Sequence, residues 1–205
     1  IANPGCYATS VLMAILPLLK EKIIQPASIV IDSKSGTSGA GKKTSEALLF
    51  TEVEGECLPY KVGHHPHFPE ICGYAQAYAQ TSIDPLFTTH LLSVRRGILS
   101  SIYARLEPGR DTASVLTAFE KAYENYPLVR LEALTEKSSP HALSLRRVAG
   151  SARTHLRFKV EGNKLFVFSL IDNLLKGAAS QAIENFNRLQ DLPVSTALLE
   201  KEGTL

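Results

Sequence analysis

The stretch Leu156-Arg157-Phe158-Lys159-Val160-Glu161-Gly162-Asn163-Lys164-Leu165-Phe166-Val167-Phe168-Ser169 decides the fold class. In its first arm Leu156, Phe158 and Val160 alternate with Arg157 and Lys159, the period of a strand with one buried face. Gly162-Asn163 makes a tight turn, and Leu165, Val167 and Ser169 resume the alternation, so the segment reads as an antiparallel hairpin. Downstream, an amphipathic helix runs from about Lys176 with Ala179, Ala182, Ile183 and Phe186 on one side, and the tail after Leu192 is less regular. Upstream, Asp111 can cap a helix carrying Val115, Phe119, Ala122 and Tyr123. Ile98, Ser100, Ile102, Ala104 and Leu106 form a half-buried strand. Further upstream lie a helix over Glu70 to Ala79 started by Pro69, a His-, Pro- and Gly-rich loop over Tyr60 to Pro69, and a short helix over Thr44 to Phe50. Before them come a Gly- and Ser-rich loop over Ser35 to Lys43, a buried strand over Ser28 to Asp32, and a buried helix over Tyr7 to Leu19, kinked near Pro17. Hairpin strands mixed with helices, with no repeat and no steady βαβ alternation, predict an α+β domain: a mixed, mostly antiparallel sheet with packed helices.

The 205 residues are 44% apolar and 20% charged, enough to bury a core without metals or disulfides. A net charge of +2 gives no electrostatic ground for a nucleic acid or membrane partner. The longest apolar run, Val11 to Leu19, is too short to span a bilayer. Three cysteines, Cys6, Cys57 and Cys72, are an odd set without zinc spacing, which argues for a reducing compartment. The chain opens at Ile1 with no basic region ahead of its apolar stretch and reads as part of a longer protein.

Four segments can carry chemistry. Cys6 follows Asn3-Pro4-Gly5 at the head of a helix, where free N–H groups and the dipole favour a thiolate nucleophile. The other reading is a buried structural cysteine, as expected for Cys57 and Cys72. His64, His65 and His67 suit acid–base work, with Glu70 placed to orient an imidazole; a metal would need further ligands, and a solvated loop is the plain alternative. Ser35-Gly36-Thr37-Ser38-Gly39-Ala40-Gly41-Lys42-Lys43-Thr44 follows a strand and can form an anion-binding nest of N–H groups. It nearly matches a P-loop, except that Lys43 stands where the hydroxyl belongs, and Leu165 to Asp172 could serve as its Walker B strand. Arg95-Arg96 precede a strand, and Arg96 suits a carboxylate or phosphate. No Gly-x-Gly-x-x-Gly occurs.

In order, these segments resemble the N-acetyl-gamma-glutamyl-phosphate reductases. Asn3-Pro4-Gly5-Cys6-Tyr7-Ala8-Thr9 resembles their active-site signature, Ser35 to Gly41 their Ser-Gly-x-Ser-Gly-Ala-Gly loop, and His65 to Ile71 their His-Arg-His-x-Pro-Glu-Ile segment. Arg96-Gly97-Ile98-Leu99, Ile171 to Ala179 and Leu192-Pro193 match further stretches. The resemblance covers the chain nearly end to end and sets the Gly-rich loop against the P-loop reading. It implies a fold like the C-terminal domain of glyceraldehyde-3-phosphate dehydrogenase, with residues 1–205 the catalytic and dimerisation domain. The C-terminal helix, about 172–190, would pack on an upstream Rossmann domain that binds NADP. The implied reaction is NADPH-dependent reduction of N-acetyl-glutamyl 5-phosphate to the semialdehyde through a cysteine thioester, in arginine biosynthesis. A neighbouring acyl phosphate, aspartyl or carrier-linked aminoadipyl, is the alternative. By the resemblance Cys6 is the nucleophile, His67 the acid–base group, and Glu70 its orienter. Ser35, Gly36, Ser38, His65 and Arg96 would bind substrate, and Asn173 would touch the nicotinamide. A cytoplasmic homo-oligomer, dimer or tetramer, is implied, with the isolated chain inactive. Pro66 between the two histidines, His64 and Ala152 depart from the family pattern, and none of them removes the nucleophile or its base.

Overall fold

The computed structural model describes residues 1–41 and 45–199. Seven strands form one sheet: β1 (Val30–Gly36), β2 (Cys57–Tyr60), β3 (Leu86–Leu92), β4 (Ile98–Arg105), β5 (Val129–Ala133), β6 (Thr154–Glu161) and β7 (Lys164–Ile171). Their spatial order is β2-β3-β1-β4-β7-β6-β5. The pairs β1–β3 and β5–β6 are parallel and the other four antiparallel, so the sheet is mixed and mostly antiparallel, as the hairpin predicted. β6 and β7 pair from Thr154↔Ile171 to Glu161↔Lys164, closed by Gly162 at φ +58°. The helices are α1 (Cys6–Lys20), the short α2 (Phe50–Val53), α3 (His67–Ala79), α4 (Thr112–Tyr123) and α5 (Ser180–Leu189).

α1 lies on one face of the sheet, against β4 and β7, and packs on α3 and α4. It is buried nearly all round and continues past Pro17 to Lys20. Pro17 has no N–H to give the carbonyl of Met13, one turn back. The Tyr123 hydroxyl of α4 donates to that carbonyl instead, at 2.5 Å. The missing helical bond thus becomes an interhelical one.

Beneath α1 the sheet carries a row of serines. Ser33, Ser100 and Ser169 stand side by side in register on β1, β4 and β7, and all are fully buried. Ser33 Oγ donates to Ser100 Oγ at 2.8 Å, and Ser10 of α1 reaches Ser100 Oγ at 2.9 Å and Ser169 Oγ at 3.2 Å. Small side chains let the helix sit close, and the mutual bonds remove the cost of burying the hydroxyls. This row fixes the depth of α1, and with it the height of Cys6.

Several elements differ from the sequence reading. β1 begins at Val30 and runs through Ser33 and Ser35 to Gly36, because the serines are inward residues of the strand. α3 starts at His67, three residues before the expected Glu70, with Pro66 as N-cap. Between residues 46 and 53 a 3-10 turn (Glu46–Leu48) precedes α2, in place of one helix over Thr44 to Phe50; Thr44, Lys42 and Lys43 lie outside the described residues. β2, β3 and β5 had no clear sequence signal. β2 contains Pro59, which is tolerable because β2 is the sheet edge. Cys57 on β2 is exposed, unlike the buried cysteine expected.

Candidate active site

Cys6 is the first residue of α1, and Gly5, its N-cap, has no side chain to satisfy the helix's leading N–H groups. The first helical bond runs from Thr9 N to Gly5 O at 2.8 Å. The Asn3-Pro4-Gly5 turn is stapled to α5. Gln181 Nε2 donates to Pro4 O at 3.2 Å and Thr9 Oγ1 at 2.8 Å, and Asn185 Nδ2 to Ala2 O at 3.0 Å. Gln181 and Asn185 were not singled out in the sequence; lone amides on an amphipathic helix give no signal there.

Two glycines make room around the thiol. A Cβ on Gly177 would stand 2.7 Å from Cys6 Cβ, so the backbone after β7 lies directly against the cysteine. A Cβ on Gly5 would stand 2.1 Å from His67 Nε2, so that imidazole lies over the turn next to Cys6. The structure therefore gathers Cys6, Gly5, His67 and Gly177.

Burial pushes the Cys6 thiol above its ordinary value, and the Glu70 carboxylate adds to that rise. The backbone N–H groups of Tyr7 and Cys6 pull the other way, as a helix N-terminus should, but they lose to desolvation. The resting thiolate expected from the sequence is thus corrected: Cys6 rests as a thiol. Burial holds His67 below the usual histidine range, against the opposite pull of Glu70, so the His67 imidazole is neutral at pH 7. Its Nδ1 is buried without a hydrogen-bond partner.

Glu70 sits elsewhere than expected. Its Oε1 accepts the Gly5 N–H at 3.0 Å, and it acts on the His67 ring through space rather than by a hydrogen bond. It holds the turn that presents Cys6. His65 is 6% exposed, edge-on to Tyr7, Tyr60 and Phe87, and its Nδ1 accepts the His67 N–H at 3.2 Å. Desolvation and the neighbouring positive groups depress it to about 4.

The Gly-rich loop is packed rather than open. Gly36 N donates to Gly97 O at 2.9 Å, Thr37 N to Val94 O at 2.9 Å and Ser38 N to Arg95 O at 3.2 Å. These N–H groups are spent on the chain, which corrects the expectation of an anion nest at this point. Ser35 Oγ donates to Gly36 O at 2.9 Å, and Ser38 Oγ accepts from Asn173 Nδ2 at 3.0 Å. Asn173 Oδ1 accepts the Gly97 N–H at 2.8 Å. Arg96 forms a two-point pair with Asp172, Nε to Oδ2 at 3.0 Å and Nη2 to Oδ1 at 3.1 Å. Asp172 is fully buried and also accepts N–H groups from Gly150, Leu174 and Leu175 at 2.7–3.0 Å. Its oxygens are committed to the fold, so the Walker B reading fails. Asp172 is the residue that carries most of this region, and the sequence reading assigned it no role of its own beyond that rejected motif and its place in the Ile171 to Ala179 stretch.

The fold is that of semialdehyde dehydrogenase domains. Aspartate semialdehyde dehydrogenase II from Vibrio cholerae superposes with a TM-score of 0.68 at 17% identity, over 89% of this chain and 60% of that one. The Francisella tularensis aspartate semialdehyde dehydrogenase does so at 0.69 and 13%, over 91% and 64%. The chain belongs to the family described as semialdehyde dehydrogenase, dimerisation domain, whose model matches residues 6–173. Among curated relatives, the N-acetyl-gamma-glutamyl-phosphate reductase of Limosilactobacillus fermentum is 43% identical over 92% of this chain and 54% of its own length. The one from Moorella thermoacetica is 42% identical over 97% and 56%. The chain thus spans about half the length of the curated relatives it matches.

Proposed function

We propose that this chain is the catalytic half of an N-acetyl-gamma-glutamyl-phosphate reductase acting in arginine biosynthesis. The observation that carries it is the thiol at the head of α1 with a neutral imidazole over the adjoining Gly5. His67 Nε2 takes the Cys6 proton as Sγ attacks the acyl carbon. The carbon–oxygen bond to phosphate breaks, phosphate leaves with the electron pair, and a thioester remains on Cys6. NADPH, when bound, supplies a hydride to that carbon. The carbon–sulfur bond then breaks, the aldehyde departs, and Sγ recovers its proton from His67. The N–H groups at the head of α1 face the charge that develops there. On the substrate side we place Ser35, Gly36, Ser38, His65 and Arg96; the Gly36 and Ser38 N–H groups are already taken by the chain, and Arg96, held by Asp172, turns its remaining N–H edge to an anion.

For NADP, the residues present offer the remaining amide hydrogen of Asn173 at the nicotinamide end. The rest would be held by an upstream Rossmann domain, in keeping with the length of the relatives. The outward face of α5 supports docking of such a domain: Ile183, Phe186 and Leu189 are 40%, 57% and 62% exposed, while Ser180, Glu184 and Asn187 face inward. The apolar stripe read from the sequence therefore points away from this domain's own core. Leu99, Tyr103, Phe166 and Phe168 stand half-buried on the sheet face away from α1, which suits self-association as a homo-oligomer. No helix among the described residues is long and apolar enough to cross a membrane. The biosynthetic relatives support a cytoplasmic location.

The test uses the longer parent, wild type and Cys6→Ser, with N-acetylglutamate 5-semialdehyde, NADP and phosphate. Phosphate-dependent NADP reduction, lost in Cys6→Ser, is the expected result. Persistence in the mutant would discard the mechanism. Turnover with aspartate semialdehyde instead would reassign the substrate. The isolated chain should show none.

A further inference from the structure

On the sheet face away from α1, a cavity of about 510 Å³ opens between β5–β6 and residues 146–151. Its lining includes Arg130, Arg146, Arg147, Arg153, His155 and Arg157, and among its described residues there is no carboxylate. The register explains the gathering. Arg130 stands beside His155, and Glu132 beside Arg157. The alternate residues Leu131, Leu156 and Phe158 face the core, so these four point outward together.

Bonds to the chain hold the guanidiniums in place. Arg157 is 5% exposed, with Nε paired to Glu132 at 2.8 Å and Nη1 donating to the carbonyls of Arg130 and Leu156 at 2.8 and 3.0 Å. Arg147 Nε donates to His141 O at 3.0 Å, and Arg153 Nη1 to Pro127 O at 2.6 Å. The His141 carbonyl orients Arg147 but does not neutralise it, and Glu132 offsets the charge of Arg157. Arg157 keeps Nη2, and Arg147 both terminal amines, uncommitted among the described residues. His155, in the cavity's lining, is 9% exposed, and its Nδ1 is buried without a partner. Burial and the field of Arg157, Arg147, Arg130 and Arg153 hold this imidazole down to about 4. Like charges fixed around a buried, unpartnered nitrogen are costly unless an anion joins them.

We propose that this cavity binds a small multivalent oxyanion of the phosphate type, held by Arg130, Arg147 and Arg157 with His155 beneath it. It lies across the sheet from Cys6, and the inference does not depend on the reaction proposed above. The source is inorganic phosphate or the phosphoryl group of a metabolite.

The test is calorimetric titration of the protein at low salt with phosphate, pyrophosphate and a sugar phosphate. Saturable binding is expected, weakened about tenfold by Arg130→Gln and by Arg147→Gln, the scale of one charge-assisted hydrogen bond. Both side chains are exposed and each substitution removes one of the crowded like charges, so unfolding midpoints should not fall. In NMR titrations the His155 imidazole should protonate at higher pH when pyrophosphate is bound. A sugar phosphate binding more than tenfold tighter than phosphate would assign a metabolite, and equal binding the inorganic ion. Absence of saturable binding to all three would overturn the site. So would unchanged affinity in both variants, or variants that only dissociate an oligomer in sedimentation, which would assign the arginines to a second copy of the chain.

Discussion

At the residue scale, Gly5 and Gly177 are needed for space, and they predict different failures. A methyl group at Gly177 meets Cys6 Cβ at 2.7 Å, Cys6 Cα at 3.2 Å and Asp172 O at 3.3 Å, none of which can swing aside. Gly177→Ala should therefore cost about 1–3 kcal/mol in urea unfolding. At Gly5 the obstacle is the far end of the His67 ring, which can rotate away. Gly5→Ala should leave stability within about 1 kcal/mol yet lower turnover of the parent about a hundredfold, the scale of a displaced acid–base group. Equal destabilisation by both would show that the His67 ring is locked in place. His65 gives a prediction about pH. Its folded value is about 4, below the ordinary 6.5, so the unfolded chain binds the proton more readily between those values. Stability is then fully present above about pH 6.5 and falls as acid carries the solution toward pH 4. Thermal midpoints at pH 7.5 and 5.0 should show that drop. His65→Asn, which keeps an acceptor for the His67 N–H, should make it smaller. An undiminished drop would place the linkage in the other depressed histidines, His67 and His155.

At the element scale, what was legible in the sequence follows from what each pattern encodes. The β6–β7 hairpin, β4 and the Asp111-capped α4 were readable because alternation, a turn dipeptide and a cap are local signals; Asp111 Oδ1 accepts the Ser114 N–H at 2.9 Å as the cap requires. β1 was cut short because Ser33 and Ser35 look polar, and only the partners on β4 and α1 make them inward residues. β2, with Pro59, and β3, with two threonines and a histidine, lack an apolar alternation strong enough to read alone. The site followed the same division. Cys6 and His67 were readable as residue types in a motif, and their proximity comes from α1 packing on α3. The positions of Glu70 on the Gly5 N–H and of Asp172 under Arg96 are long-range contacts, separated by 65 and 76 residues, which spacing along the chain does not encode. α5 is the most instructive element. Its amphipathic pattern was plain, but the polar side faces inward, where Lys176 donates to Glu184 at 2.8 Å and to Tyr126 Oη at 2.5 Å. Lys176 and Glu184 are 3% and 6% exposed, so the inner seam of this helix is ionic and the apolar stripe is left facing out.

At the scale of the whole molecule, that outward stripe is the argument for a partner surface in the same polypeptide. α5 also staples the Asn3-Pro4-Gly5 turn through Gln181 and Asn185, so whatever docks on its outer face bears on the segment that presents Cys6. A docked Rossmann domain would bury Phe186 and steady the cysteine by the same contact. Phe186→Ser separates these effects. In the chain alone the side chain is 57% exposed, and its loss should change unfolding by no more than about 0.5 kcal/mol, the usual effect at a surface site. In the longer parent the same change empties a buried interface and should cost about 3 kcal/mol, as large aromatic truncations do, along with a rise in KM for NADP. Urea unfolding of both lengths makes the comparison. An equal, small effect in each would mean that the stripe is covered by something other than the upstream domain. A large effect in the chain alone would mean that Phe186 already supports this domain's own fold, and that the interface lies on another face.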